Sequence, residues 1–237
     1  MLTAILERVV QGPLDHEAHE RHIRIEPTCE TNRPDTFPTQ AVVVTTAARR
    51  IIDLSKNGDK VKSLVITGDR DPMEHGDFRE IAENIKELQK KWFPKATMVL
   101  ETRGFHMDTA DLRHTLSLFD RPLVRFEYGT QKSFTALTGR KGTDLKDIVE
   151  NLDKIELERW VLTATFVRGA ADNSTPSEVK NWLKYVEDLK PGGVRIGTLA
   201  KEDKERKLKP VTKTRMDEIE AQIAEKTGLQ VELAKPI

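Results

Sequence analysis

The chain has 237 residues, of which 37% are hydrophobic and 33% are charged, and its 39 basic and 39 acidic residues cancel. That balance excludes a general nucleic-acid binder and an anionic-membrane binder, because both classes need a basic field. The single cysteine excludes an intramolecular disulfide framework and is typical of a reducing compartment.

The amino-terminal segment and the hydropathy of the chain predict a cytoplasmic protein. MLTAILERVVQG has an early acidic residue and only a short apolar run, so it is a poor signal peptide. No window approaches the ~18 to 20 apolar residues that a membrane span requires. We expect one domain over residues 1–237, in which residues 1–21 form an amino-terminal lead-in.

Short β-rich runs alternate with longer amphipathic stretches along the chain. The predicted strands are 22–27, 63–68, 96–103, 122–129, 160–169 and 193–200, with a last short strand in LQVELA. The predicted helices are 39–56, 77–93, 108–119, 133–152 with an interruption at GRKG, 175–189 and 214–228. Six consecutive β-then-α units indicate an α/β protein with a mostly parallel sheet, either open or curled into a barrel.

The pattern of apolar and polar residues along the strands distinguishes an open sheet from a barrel. Strands buried on both faces should be nearly continuous Val, Ile and Leu, whereas Arg24 and Glu26 here alternate with Ile23 and Ile25. We interpret the polar face as the interior of a wide or open barrel that holds a polar ligand. The alternative is a set of ion pairs, or residues at frayed strand ends. The same alternation places further polar residues on this face: Glu101, Arg103, Arg125, Glu127, Thr163, Thr165 and Arg195.

The turn after the second predicted strand reads TGDRDPMEH. A glycine at the carboxyl end of a parallel strand, here Gly68, lets the backbone approach a ligand, and loops at that end form the sites of α/β folds. Asp69 and Asp71 could bind an amine or a cation. Equally, Asp71 and Pro72 could only form the turn into the next helix.

Several segments together resemble the radical S-adenosylmethionine (radical SAM) superfamily. They are the first strand, the cysteine loop EPTCETNRPDT, the TGDRDP turn, FEYGTQKSFTALTGRKGTDLKDIVENL, FVRGAADNSTPSEVKNWLKYVEDLKP, and VRIGTLA followed by KLKPVT. The resemblance covers nearly the whole chain. It implies a partial (βα)6 barrel, an open arrangement like that of a TIM barrel, which agrees with the six units counted independently.

The chain departs from the family in the cysteine motif and in the turn after the second strand. The resemblance implies a [4Fe–4S] cluster held by C-x3-C-x2-C after the first strand, and Cys29 stands at the first of these positions, but Arg33 and Thr36 stand at the other two. One thiolate cannot replace three. In the turn, Arg70 stands where the family usually has glycine, and Asp71 stands where it has glutamate. We interpret Cys29 as the remnant of a lost cluster, and we expect no [4Fe–4S] cofactor.

The resemblance implies that the later strands line the nucleoside and substrate part of the barrel. Arginine suits the bidentate capture of carboxylate or phosphate, and the alternative is an internal salt-bridge network. No catalytic residue stands out. The predicted ligand-binding residues are Arg24, Glu26, Gly68, Asp71, Glu101, Arg125, Glu127, Thr165, Arg168, Asn173 and Arg195.

A second candidate site is the histidine spacing HEAHERH, which includes His16, His19 and His22 and lies upstream of Cys29. Such a set could hold zinc or another divalent metal. The interpretation that we favour is a solvated, charged lead-in. The later run KEDKERKLK mixes charge signs and predicts a solvated loop.

These observations predict a radical-SAM-like pseudoenzyme that binds a small polar ligand, such as a nucleoside, S-adenosylmethionine itself or an anion, with no resident cofactor. One alternative is an enzyme whose cluster or metal has unusual ligands or is completed by a partner chain. Another is a structural protein partner of an active relative. The enzyme requires metal in the purified protein, and the ligand binder requires a rise in stability with ligand.

Overall fold

The computed structural model describes residues 2–16, 19–31 and 36–235. The contacts between residues divide the chain into two compact units, Met1–Leu123 and Val124–Ile237. The boundary falls within the fifth strand. The expectation of a single domain stays a prediction.

Unit 1 alternates strands with helices. Its strands are β1 (Val10–His16), β2 (Glu20–Ile25), β3 (Ser63–Ile66), β4 (Thr97–Thr102) and β5 (Arg121–Arg125), which contains the boundary. Its α-helices are α1 (Leu2–Val9), α2 (Gln40–Lys56), α3 (Phe78–Trp92) and α4 (Ala110–Thr115), with short 3-10 helices at Pro72–Glu74 and Leu116–Leu118.

The strands of unit 1 are in the order β1-β2-β3-β4-β5. β1 is antiparallel to β2, whereas β2, β3 and β4 are parallel. The register aligns Arg24 with Val65 and Val65 with Val99, so these three residues share one face. On the opposite face, α2 contacts β2. The fully buried apolar side chains of this face are Ile23, Ile25, Leu64, Ile66, Met98 and Leu100.

Unit 2 repeats the alternation. Its helices are α5 (Gln131–Thr138), α6 (Leu145–Leu152), α7 (Pro176–Leu189) and α8 (Lys213–Thr227). Its strands are β6 (Val161–Gly169), β7 (Gly193–Thr198), β8 (Leu208–Pro210) and β9 (Val231–Leu233). β6, β7 and β9 are parallel neighbours, and β8 pairs with the end of β6 in antiparallel fashion.

The local sequence explains where the helices of unit 2 begin and end. Thr175 accepts a hydrogen bond from the Glu178 backbone and precedes a proline, which starts α7. Thr212 accepts one from Arg215 in the same way at α8, and Gly228 ends that helix in the left-handed conformation. The GRKG interruption separates α5 from α6, because Gly139 ends α5 at φ 71°.

One face of the unit 2 strands packs against α7. The ring of Phe166 in β6 lies 5.3 Å from that of Trp182 in α7, so Leu162 and Ala164 share this side. Thr163 and Thr165 therefore lie on the opposite face. The register pairs Thr163 with Arg195, which places Arg195 on that opposite face as well.

The predicted βα alternation is confirmed, with three differences. The lead-in contains α1 and β1, which the sequence did not indicate. The predicted strand 122–129 ends at Arg125, so Glu127 lies beyond it. The predicted solvated loop KEDKERKLK ends in β8, where the Leu208 side chain is buried. Within the described residues, no helix is long and apolar enough to cross a membrane.

Candidate ligand-binding faces

In unit 1 the two acidic residues predicted for the polar face are each held by a cation or by a histidine. Arg24 Nε donates to Glu26 Oε1 at 2.5 Å, and the Glu26 side chain is almost completely buried. His19 Nε2 lies 2.8 Å from Glu101 Oε1, and the Thr67 hydroxyl donates to Glu101 Oε2 at 2.9 Å. The Glu101 side chain remains 40% exposed, so it is the accessible acid of this face.

The histidine segment does not form the solvated lead-in that the charge pattern indicated. His22 is buried in β2, and its Nδ1 lies 3.0 Å from the Glu20 carbonyl oxygen. The side chain of His19 is also buried, and its ring meets that of His22 edge-on at 5.5 Å. The side chain of His16 lies outside the described set. Among the described residues, no group of three or more His, Cys, Asp or Glu side chains could hold a metal ion.

The turn after β3 is closely packed. A Cβ atom at Gly68 would lie 2.8 Å from the Arg70 carbonyl oxygen, which accepts a hydrogen bond from the Thr28 hydroxyl. Asp71 is 1% exposed and accepts hydrogen bonds from the Met73 backbone, the Thr102 hydroxyl and the Arg103 backbone. The Asp71 carboxylate therefore holds the turn together, and its role in ligand binding stays a prediction.

Arg70, which stands where the family usually has glycine, is held by two neighbouring side chains. Its guanidinium donates to Glu74 Oε2 at 2.7 Å and lies 4.6 Å from the centre of the Phe37 ring. Phe37 also stacks on His75, whose Nε2 lies 2.8 Å from the Pro38 carbonyl oxygen. The chain that follows the cysteine loop thus packs on this turn, and no spacing in the sequence indicated that contact.

Cys29 lies in an environment that opposes ionisation. The residue is 7% exposed, and the loss of solvation raises its pKa to about 11, with the nearby Glu26 charge acting in the same direction and Arg8 opposing it. Arg33 lies outside the described residues, and Thr36 is exposed and offers no thiolate. A [4Fe–4S] cluster is bound through cysteine thiolates. The single protonated thiol does not fit such a cluster.

In unit 2, Asn173 joins three parts of the backbone. Its Nδ2 donates to the carbonyl oxygens of Glu127 and Thr165, both at 3.0 Å, and its Oδ1 accepts from the Val167 backbone at 2.8 Å. The Glu127 carboxylate accepts from the Thr165 backbone at 2.9 Å. Asn173 is 1% exposed and both of its N–H donors are used, so it positions this face, and its role in ligand binding stays a prediction.

The remaining polar residues of unit 2 differ in accessibility. Arg125 is exposed, and Arg168 is exposed with its Nε donating to the Pro210 carbonyl oxygen at 3.0 Å. Thr163 and Thr165 are partly buried, and their hydroxyls make no hydrogen bond to another described residue. Arg195 is 8% exposed and lies 3.3 Å from Glu232 Oε1. Glu232 is not among the residues predicted from the sequence, although the alternation in LQVELA places it on the same face as Arg195.

The structure therefore brings the predicted residues together in small groups. Unit 1 pairs Arg24 with Glu26 and packs Gly68 against Arg70 and Thr28 in the turn that the buried Asp71 holds. Unit 2 joins Glu127, Thr165 and Asn173.

Comparison with known proteins identifies the fold. No protein-family model and no curated protein matches the sequence. Among solved structures, a domain of pyruvate-formate lyase-activating enzyme from Bacteroides vulgatus aligns with a TM-score of 0.53 at 11% identity, over 73% of this chain and 99% of that domain. SuiB from Streptococcus suis, in a structure bound to S-adenosylmethionine, aligns with a TM-score of 0.59 at 12% identity.

A further similar structure is coproporphyrinogen III oxidase (HemN) from Escherichia coli, which is described as a radical SAM enzyme. It aligns with a TM-score of 0.57 at 14% identity over 94% of this chain. The alignment with SuiB covers 87% of this chain and 45% of SuiB. The alignment with HemN covers 55% of HemN, so the chain spans about half the length of these two proteins. The chain has the α/β fold of the radical SAM enzymes, a partial (βα)6 barrel.

Proposed function

We propose that this chain is a cytoplasmic radical-SAM-like pseudoenzyme that lacks the [4Fe–4S] cluster and binds a small polar ligand. The observation that carries the proposal is Cys29. It is the only cysteine of the chain, it stands at the first cluster position, and its buried thiol has a pKa raised to about 11. The raised pKa makes deprotonation of this thiol harder than that of an ordinary cysteine, and the thiolate is the form that binds metal.

The polar faces support the binding part of the proposal. In unit 2 the hydroxyls of Thr163 and Thr165 have no hydrogen-bond partner among the described residues, and Arg195 lies on the same face. Polar groups without partners on a partly buried surface favour a ligand that supplies those partners. SuiB has been determined bound to S-adenosylmethionine. S-Adenosylmethionine and simpler adenosine compounds are therefore the first ligands to test.

The test is thermal unfolding of the whole chain with S-adenosylmethionine, S-adenosylhomocysteine or adenosine, against an equal concentration of ribose. A ligand at a hundredfold excess over its Kd should stabilise the fold by about 2.7 kcal/mol and raise the Tm by roughly 5–10 °C. No rise with any of them, together with no binding in equilibrium dialysis, would reject the adenosyl ligands and favour a structural partner role.

The matched variant is Thr165→Val, which keeps the shape of the side chain and removes the hydroxyl. We expect Kd to rise about fivefold or more while the Tm without ligand changes by less than about 2 °C. Thr214→Val is the control, because Thr214 is exposed on α8. Equal effects of the two variants would show that binding does not involve the polar face of β6.

A further inference from the structure

Arg195 on β7 is a buried cation with an unsatisfied hydrogen-bond donor. It is 8% exposed, and its Nε has no hydrogen-bond partner among the residues that the structure describes. Its ion pair is with Glu232, at 3.3 Å from Nε to Oε1 but without the alignment of a hydrogen bond. A guanidinium presents five N–H donors in a fixed fork, and leaving one of them, here Nε–H, unpaired in a buried place is costly.

The surroundings of Arg195 suit an oxyanion. The strand register places Thr163 on one side of Arg195 and Glu232 on the other. The Thr163 hydroxyl can donate, and it has no partner among the described residues. Two residues before Arg195, Gly193 lies on the same face, and a Cβ atom built there would meet no heavy atom closer than 4.0 Å. The hydrogen-bond donors of this face therefore lie beside space that an oxyanion could fill.

Among the described residues, the carboxylate that pairs with this guanidinium is that of Glu232. Its side chain is 45% exposed, whereas that of Arg195 is 9% exposed. Glu232 lies in the short strand β9, and its carboxylate is the more solvent-exposed partner of the pair. Since its alignment with Arg195 is poor, an incoming oxyanion with a bidentate geometry can compete with it for the guanidinium.

We propose that Arg195 binds the carboxylate or phosphate group of the ligand, with Thr163 as a second donor, and that Glu232 competes with the ligand for the same guanidinium. This inference rests on the proposed function, because it assigns the charged group of the ligand bound at this polar face. It specifies an anionic ligand, and it predicts that the Glu232 carboxylate lowers the affinity for that ligand.

The experiment measures the affinity of inorganic phosphate and of acetate by titration calorimetry at constant ionic strength. We expect Arg195→Gln to weaken binding of the preferred anion at least tenfold. We expect Glu232→Gln to strengthen it by about threefold or more, because the competing charge is removed. A preference for phosphate or for acetate distinguishes the two kinds of oxyanion.

The controls carry the same charge changes at an exposed ion pair of unit 2. Lys209 Nζ lies 3.8 Å from Glu202 Oε1, and both side chains are about half exposed. Lys209→Gln and Glu202→Gln should leave anion affinity within about twofold of the parent chain. Equal changes in the control and test variants would attribute the effect to the net charge and overturn the inference.

The two charge variants also separate a folding defect from a lost site. If Arg195→Gln fails to fold, the increase expected for Glu232→Gln still tests the inference, and an unchanged or weaker affinity there overturns it. Binding of S-adenosylmethionine, which carries a carboxylate, with an affinity independent of Arg195 would overturn this inference and leave the proposed function standing. Arg195-dependent phosphate binding without any adenosyl binding would support the inference and reject the adenosyl ligands.

Discussion

At the scale of single residues, the position of Cys29 shows how burial changes the chemistry of a thiol. The folded chain withdraws the sulfur from water and places the charge of Glu26 near it, and both effects raise the pKa. A thiol in an unfolded chain has a pKa close to 9, so folding shifts the titration to about 11. The contribution of Cys29 to stability is therefore present below pH 9 and is lost as the pH rises from about 9 through 11.

The reactivity of Cys29 provides a direct prediction. At pH 8 a pKa of about 11 leaves roughly a hundredfold less thiolate than the unshifted value does. We expect iodoacetamide to alkylate the folded chain about a hundredfold more slowly than it alkylates a short peptide that contains the same cysteine. The pH profile of the rate in the folded chain should have its midpoint near 11.

The control for this reaction is the urea-unfolded chain, which should react at the rate of the peptide. Rapid alkylation of the folded chain at pH 8 would contradict the assignment of a protonated thiol. It would also return Cys29 to the set of candidate metal ligands.

At the scale of secondary structure elements, the loop after β6 is held by one amide. Asn173→Ala would leave the Val167 N–H without its acceptor and would remove the donor to two carbonyl oxygens. We expect a loss of about 2–4 kcal/mol in the free energy of unfolding, measured by urea denaturation.

The matched variant for this prediction is Asn181→Ala on α7, where the asparagine is partly exposed. We expect that change to alter the free energy of unfolding by less than about 0.5 kcal/mol, because alanine favours a helix. A similar loss in both variants would mean that the hydrogen bonds of Asn173 do not hold the loop.

Most elements could be predicted from the sequence, and the exceptions have physical causes. Periodic apolar residues mark α3 and α7 clearly, because each helix buries one continuous face. β8 is only three residues long, and it is defined by its pairing with the end of β6. β1 lies beside β2 in antiparallel fashion and contains Gly12 and Pro13, which are atypical of strands. Such elements depend on partners that are distant in sequence.

The candidate site could be predicted only in part. Alternation along β2 and β6 correctly separated polar from apolar faces, because side-chain direction follows from a period of two. The partners of the polar groups could not be predicted. Glu101 meets His19, which is 82 residues away, and Asp71 is enclosed by Thr102 and Arg103. These contacts depend on register and on turn geometry.

At the scale of the whole molecule, the fold and the chemistry must be considered separately. The chain has the fold of the radical SAM enzymes, yet its identity to the similar solved structures described above is 11–14%. A fold supports many functions, and the function depends on the groups at the site. This chain has one cysteine, and among the described residues of unit 2 the polar face contains threonine hydroxyls without a hydrogen-bond partner and an arginine whose Nε has none.

The measurement that tests the central claim is the iron, sulfide and zinc content of the whole chain, with its absorption spectrum, after purification without oxygen and reconstitution with iron and sulfide. The proposed loss of the cluster predicts substoichiometric iron and sulfide, no iron–sulfur absorption band, and the same result for Cys29→Ala. Stoichiometric iron and sulfide that disappear in Cys29→Ala would contradict the account and establish Cys29 as a cluster ligand.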